Sequence, residues 1–153
     1  MANTYTQLNI HAVFSVKGRE NLLSLNVRNE LFPYISGIVK NTGNFLLAVN
    51  GYKDHVHLFF ELNPANCIST IMEQVKSNSS KWINEKKFMP GKFCWQTGYA
   101  AFSYSRSQRD SVIQYIVNQE QHHRKTTFRE EYLNFLEKFK MEYDMRYLYE
   151  FYD

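Results

Sequence analysis

The chain has 153 residues, 44% of them hydrophobic and 16% aromatic, and carries a formal net charge of +3. That length suits one domain, expected to span residues 1–153, and no run of about 18 apolar residues is present to cross a membrane. The start "MANTYTQLNIHAVF" lacks the pattern of a secretory signal, and the isolated Cys67 and Cys94 give neither a disulfide scaffold nor a C-x-x-C site, which fits a reducing cytoplasm.

Residues 6–15, "TQLNIHAVFS", alternate with Leu8, Ile10, Ala12 and Phe14 on one face, and predict a first strand. Residues 26–41 have helical spacing at Leu31, Tyr34, Ile35, Ile38 and Val39, closed by Asn41-Thr42-Gly43, while Pro33 implies a late start or a kink. "NFLLAVN" and "HVHLFFEL" then read as two strands of a hairpin around Gly51. Residues 66–87 predict a helix with Ile68, Ile71, Met72 and Val75 as its buried stripe. Residues 92–105, "KFCWQTGYAAFSYS", read as an aromatic strand in which Gly98 marks a bulge. A helix is expected at 108–123 and another from Thr127, where Thr127-Phe128-Arg129-Glu130 fits a capping box and Leu133, Leu136 and Phe139 give the apolar face. The aromatic tail "YDMRYLYEFYD" is expected to pack on the body of the protein.

Strand, helix, strand, strand, helix, strand and then further helices is the order of an α+β, ferredoxin-like split β-α-β fold. It implies an antiparallel sheet with helices on one face, extra C-terminal helices, and a central position for the strand carrying His55 and His57. Such a fold hosts many activities, so function has to come from the site.

His55 and His57 flank Val56, and the period of a strand turns both imidazoles to one face. Two readings fit that pair: a chelate for a metal ion, or polar residues on a solvated sheet face. On the later helix, Val112, Ile113, Ile116 and Val117 form an apolar stripe, and Tyr115 falls about 130° from its centre at 100° per residue. A tyrosine set among Gln108, Ser111, Asn118, Gln119 and His122 reads as a reagent or an interface residue. Gln119, one turn on, brings an amide oxygen able to complete a metal site begun by two imidazoles.

Charge is unevenly spread. Residues 76–125 hold nine Lys/Arg against three Asp/Glu, with Trp82, Phe88, Phe93, Trp95, Tyr99 and Tyr104 interleaved. That mixture suits a polyanion with stackable bases, or else a solvated basic face beside an aromatic core. The candidate DNA contacts are Lys76, Lys81 and Arg106, with Trp95 and Tyr99 as candidate base platforms.

Three stretches, His55-Val56-His57, "WQTGYAAFSYS" and "YIVNQEQHH", together with the opening "HAVFSVKGR", resemble the single-tyrosine HUH transposases of small bacterial insertion sequences. The likeness runs in order along nearly the whole chain; Ala100 stands where glycine is expected, and the tail fits less well. The resemblance implies that Tyr115 attacks single-stranded DNA bearing hairpin ends, forming a covalent 5′-phosphotyrosine. It implies Mg²⁺ or Mn²⁺ on His55, His57 and Gln119, and a homodimer in which the tyrosine helix of one subunit completes the site of the other. His122 and His123 belong to the shared motif as orienting or capping residues; Asp54 is either a partner of a histidine or a turn residue, and His11 reads as a structural strand residue. Three other readings stand beside this one: a domesticated relative that processes repeated hairpin elements, a catalytically idle nucleic-acid-binding module, and a metallohydrolase using water.

Overall fold

The structure is a computed structural model and describes residues 4–142. Four strands, β1 (Asn9–Ser15), β2 (Phe45–Gly51), β3 (His55–Glu61) and β4 (Ala100–Tyr104), form an antiparallel sheet in the order β2-β3-β1-β4. Helix α1 (Leu25–Asn41) connects β1 to β2, and α2 (Ile68–Lys86) precedes β4, which gives the expected ferredoxin-like topology with β3 in the interior of the sheet.

Strand alternation creates two cores. Ile10, Ala12 and Phe14 of β1 and Val56, Leu58 and Phe60 of β3 face α1 and α2, meeting Val27, Leu31, Ile35, Val39, Ile71, Met72 and Val75. Full burial of one such side chain contributes about 1.5–3 kcal/mol. On the opposite face, Val13, Phe59, Phe102 and Tyr104 pack against the extra C-terminal helices α3 (Arg109–Val117) and α5 (Phe128–Lys138) through Val112, Ile116, Phe128, Tyr132 and Leu136. His11, His55 and His57 share this second face, and all three are fully buried. β1 and β3 are thus covered on both sides. The solvated-face reading of the histidine pair fails for that reason.

Several local expectations change. Helix α1 begins at Leu25, capped by the Ser24 hydroxyl, and continues through Pro33. The aromatic segment is not one strand: Trp95 makes an isolated bridge to Val16, Gly98 turns the chain at φ 89°, and only Ala100–Tyr104 joins the sheet. The helix expected at 108–123 breaks at Asn118, leaving α3 and a short α4 (Gln119–His122). The Asn50 side-chain amide of β2 donates to the Ile116 and Val117 carbonyls at 2.9 Å each, which satisfies acceptors that a helix end leaves open.

The stripe on α3 also differs from expectation. Val117 is 55% exposed, and the residues turned to the sheet are Val112, Tyr115, Ile116 and Gln119, an i, i+3, i+4, i+7 set. Tyr115 therefore lies on the packing face rather than off it, because the sheet surface it meets is itself polar. On α5 the buried residues are Phe128, Glu131, Tyr132 and Leu136, with Leu133 only half-buried. The tail 143–153 lies outside the described residues. Among the described residues no helix is long and apolar enough to cross a membrane.

Candidate metal and nucleophile site

The β2–β3 hairpin sets the first half of the site. Gly51 closes it: a Cβ there would come within 2.2 Å of the His55 carbonyl oxygen. Asp54, the last turn residue, places Oδ1 2.6 Å from His55 Nδ1, leaving His55 Nε2 to face the second core. Asn50 stands opposite His57 in the β2–β3 ladder, so the residue that anchors the end of α3 sits beside the histidine strand. That contact carries Tyr115 and Gln119 over β3, with the Tyr115 and His57 rings 5.8 Å apart edge to face.

Donor atoms converge on one point. Gln119 Oε1 is 3.2 Å from His55 Nε2 and 3.0 Å from His123 Nε2. Glu131 Oε1, from α5, is 3.0 Å from His57 Nε2, 3.4 Å from His55 Nε2 and 3.3 Å from His123 Nε2. One ligand atom from each of His55, His57, His123 and Glu131 falls within 4.8 Å of the others. With metal–ligand bonds of about 2.1 Å, neighbouring donors stand about 3.0 Å apart in an octahedron and about 3.4 Å apart in a tetrahedron. The observed spacings match those edges, and imidazoles with a carboxylate and an amide oxygen are ligands for a divalent ion. The cluster could hold a metal ion.

The other Glu131 oxygen, Oε2, accepts from the Tyr115 hydroxyl and from Gln119 Nε2 at 3.2 Å, and lies 3.2 Å from His122 Nε2. One carboxylate thereby joins the tyrosine to the histidine cluster. Burial opposes the charge of Glu131, yet the surrounding histidines, His57 foremost, hold it well below the usual carboxylate range. Burial likewise works against charge on His55, but hydrogen bonds to Asp54 and Glu131 outweigh it and push the imidazole up to about 9. His57 moves down because burial dominates. The Tyr115 phenol is pushed up, first by burial and then by the Glu131 charge, so phenolate is disfavoured without added positive charge nearby.

Tyr115, Gln119, His55 and His57 meet within one chain, where the Asn50 anchor docks α3 on its own sheet. Glu131 was missed by sequence reading. Its signal was an acid on the apolar face of α5, between Phe128 and Tyr132.

The candidate DNA contacts scatter. Trp95 is 8% exposed, donates its indole N–H to Ser79, and packs edge to face on Phe14 and Phe93. It is a core residue with no face open to a base, which corrects that expectation. Lys76 donates to the Gln96 and Gly98 carbonyls at 2.7 and 2.6 Å, and burial pushes it down to about 8. Lys81, Arg106 and Tyr99 are exposed. Two clefts meet at Tyr115. One, of about 410 Å³, has Tyr104, Asn134, Phe135 and Lys138 in its walls; the other, of about 560 Å³, has Gln114, Arg124 and Lys125.

Residues 4–119 match the family described as Transposase IS200 like, a stretch that includes His55, His57, Tyr115 and Gln119. The chain belongs to this family. It is 25% identical over 118 residues to the ISDra2 transposase TnpA of Deinococcus radiodurans, covering 74% of this chain and 84% of that protein. A crystal structure of a transposase from Deinococcus radiodurans R1 superposes with a TM-score of 0.63 at 25% identity, covering 78% of this chain and 95% of that one. The structure of a REP-associated tyrosine transposase bound to a REP hairpin has a TM-score of 0.60 at 13% identity, covering 80% and 73%, and shares the fold. The family match closes at Gln119, so Glu131 and all of α5 lie outside the matched residues.

Proposed function

We propose that the chain cleaves and rejoins single-stranded DNA through Tyr115, assisted by a divalent ion, Mg²⁺ or Mn²⁺, on His55, His57, Gln119 and Glu131. The observation that carries this reading is the shared carboxylate: Glu131 accepts the Tyr115 hydroxyl with one oxygen and faces His55 and His57 with the other. When bound, the ion supplies positive charge that offsets Glu131 and polarises the scissile phosphate. Asp54 fixes the His55 ring, and Gln119 spans the gap between the tyrosine helix and the histidines.

In the reaction, the Tyr115 oxygen gives up its proton through the Glu131 carboxylate that accepts from it and forms a bond to phosphorus, while the bond from phosphorus to the 3′ oxygen breaks and that oxygen takes up a proton to leave as a 3′-hydroxyl. The 5′-phosphotyrosine conserves the bond energy, so a 3′-hydroxyl can later reverse the step and join strands without a nucleotide cofactor. Hydrolysis by water would lose that energy and would leave Tyr115 without a role. Tyr115, His55, His57, Gln119 and Glu131 all come from one chain in this arrangement, so the reading is of a site working in cis.

The substrate proposed is a folded single strand, in keeping with the REP hairpin held by the neighbour of the same fold. Arg124 and Lys125 beside one cleft, and Lys138 beside the other, would follow the backbone on either side of Tyr115. The test is incubation with single-stranded DNA from the flanks of the gene, labelled 3′ to the cut, followed by denaturing electrophoresis. A shifted protein band with the wild type and none with Tyr115→Phe is expected. A band of equal yield from both would move the nucleophile elsewhere, and no band from either would favour the idle binding module.

A further inference from the structure

Each imidazole of the cluster has its far nitrogen held. For His55 the holder is Asp54, for His123 it is the Thr126 carbonyl at 2.9 Å, and for His57 it is another histidine, His11, whose Nε2 lies 2.7 Å from His57 Nδ1. We propose that His11 is a positioning residue that holds the orientation of His57 and accepts its Nδ1 proton when a metal ion is bound, so that His57 offers the lone pair of Nε2 to the ion. This rests on the metal site proposed above.

The contact is built by the sheet. β1 and β3 are paired with Val13 opposite His57 and His11 opposite Phe59, which makes His11 and His57 diagonal neighbours on one face. Their rings stack at 5.0 Å and 24°, and neither is exposed. At 2.7 Å one ring nitrogen donates to the other, so one proton lies at the contact. If that proton sits on His57 Nδ1, His57 Nε2 is a bare lone pair facing the cluster, and His11 accepts through its own Nε2. If it sits on His11 Nε2, His57 must carry its proton on Nε2, where Glu131 Oε1 accepts it at 3.0 Å. The first arrangement binds a metal ion, and the second closes the site without one.

The far side of His11 permits both states. Among the described residues its Nδ1 is buried with no hydrogen-bond partner, so none of them dictates which nitrogen carries the proton. A backbone carbonyl at that point would have locked one tautomer. Packing does not explain the imidazole either. His11 lies among Phe59, Phe102, Tyr104 and Phe135, with ring centroids 5.2–6.4 Å away, and a phenylalanine would fill that nest without burying a polar atom. Partners behind metal-ligating histidines commonly change affinity by about 10–100-fold when removed.

The experiment titrates DNA-free protein with Mn²⁺, following free Mn²⁺ by electron paramagnetic resonance, for the wild type, His11→Phe and His11→Gln. His11→Phe should bind about 10–100-fold more weakly, with unchanged melting of the metal-free protein. His11→Gln, whose amide oxygen can accept from His57 Nδ1–H, should recover most of the loss. In Mg²⁺-loaded wild type, imidazole ¹⁵N spectra should show the His57 proton on Nδ1, a readout that needs no variant to fold. Wild-type affinity in His11→Phe, no recovery in His11→Gln, or a His57 proton on Nε2 under Mg²⁺ would each overturn the proposal. A wild type that takes up no Mn²⁺ overturns the metal site itself, and with it the role of His11.

Discussion

Tyr115 on α3 donates its hydroxyl to Glu131 on α5, sixteen residues later, and this bond links the tyrosine to the histidine cluster. The same carboxylate that receives the hydroxyl also repels the phenolate. Ring, acid and metal site are therefore coupled, and variants at each should separate their roles.

Removing the phenol oxygen keeps the ring packed against His57 and Phe135. Tyr115→Phe is expected to eliminate the covalent adduct while retaining Mn²⁺ and DNA binding. Glu131 keeps its partners Gln119 and His122 in that variant, so stability should fall by no more than about 3 kcal/mol, the upper range for a hydrogen bond to a charged group. Calorimetry and the gel assay read the two effects independently.

Glu131→Ala should weaken Mn²⁺ binding by about tenfold or more, since a ligand is removed rather than a supporting group. Gln119→Ala should slow adduct formation and be partly rescued by raising the metal concentration. Excess chelator should abolish cleavage by the wild type. Full strand cleavage in chelator would mean that the cluster serves only as a buried polar network.

The metal-free protein should lose stability as pH rises from about 6.5 to 9. His55 is raised to about 9 in the folded state, so its contribution is complete below its unfolded value and vanishes as it deprotonates. His11 and His57 are lowered, so they act in the other direction and below that window. Lys76, lowered to about 8, adds stability as pH rises above that value. The difference in melting temperature between wild type and Asp54→Asn isolates His55, because the variant removes the first group that raises it. Parallel curves in chelator would refute the coupling.

Asn50→Ala leaves the Ile116 and Val117 carbonyls without their donor. A loss of about 1–3 kcal/mol is expected, with adduct yield falling more than DNA affinity because the tyrosine helix drifts from the histidines. Equal loss of both would show that Asn50 stabilises the fold and does not align the site.

Replacing Arg124 and Lys125 should flatten the plot of log affinity against log salt by up to about 0.7 for each single-strand phosphate that these cations neutralise. Lys81 and Arg106, both exposed, are tested in the same way. Lys76→Ala should act differently, loosening the 96–98 turn that its ammonium holds and leaving the salt slope unchanged.

The sequence by itself determined the element order, the sheet type, and the alternation that turns His55 and His57 to one face, because each follows from local period and turn chemistry. It also placed Tyr115 and Gln119 one helical turn apart. It could not say which surface that helix would face. The break at Asn118 depends on the Asn50 amide of β2, 66 residues before the Ile116 carbonyl it caps, and so left no local trace. Trp95 looked like a base platform because aromatic residues in a basic segment read alike whether buried or exposed; only the packing of Phe14, Ser79 and Phe93 around it decided the matter. Glu131 is the clearest case. A carboxylate on an apolar helix face is costly alone, and only the docking of α5 onto the histidine face brings it the partners that make its charge tolerable.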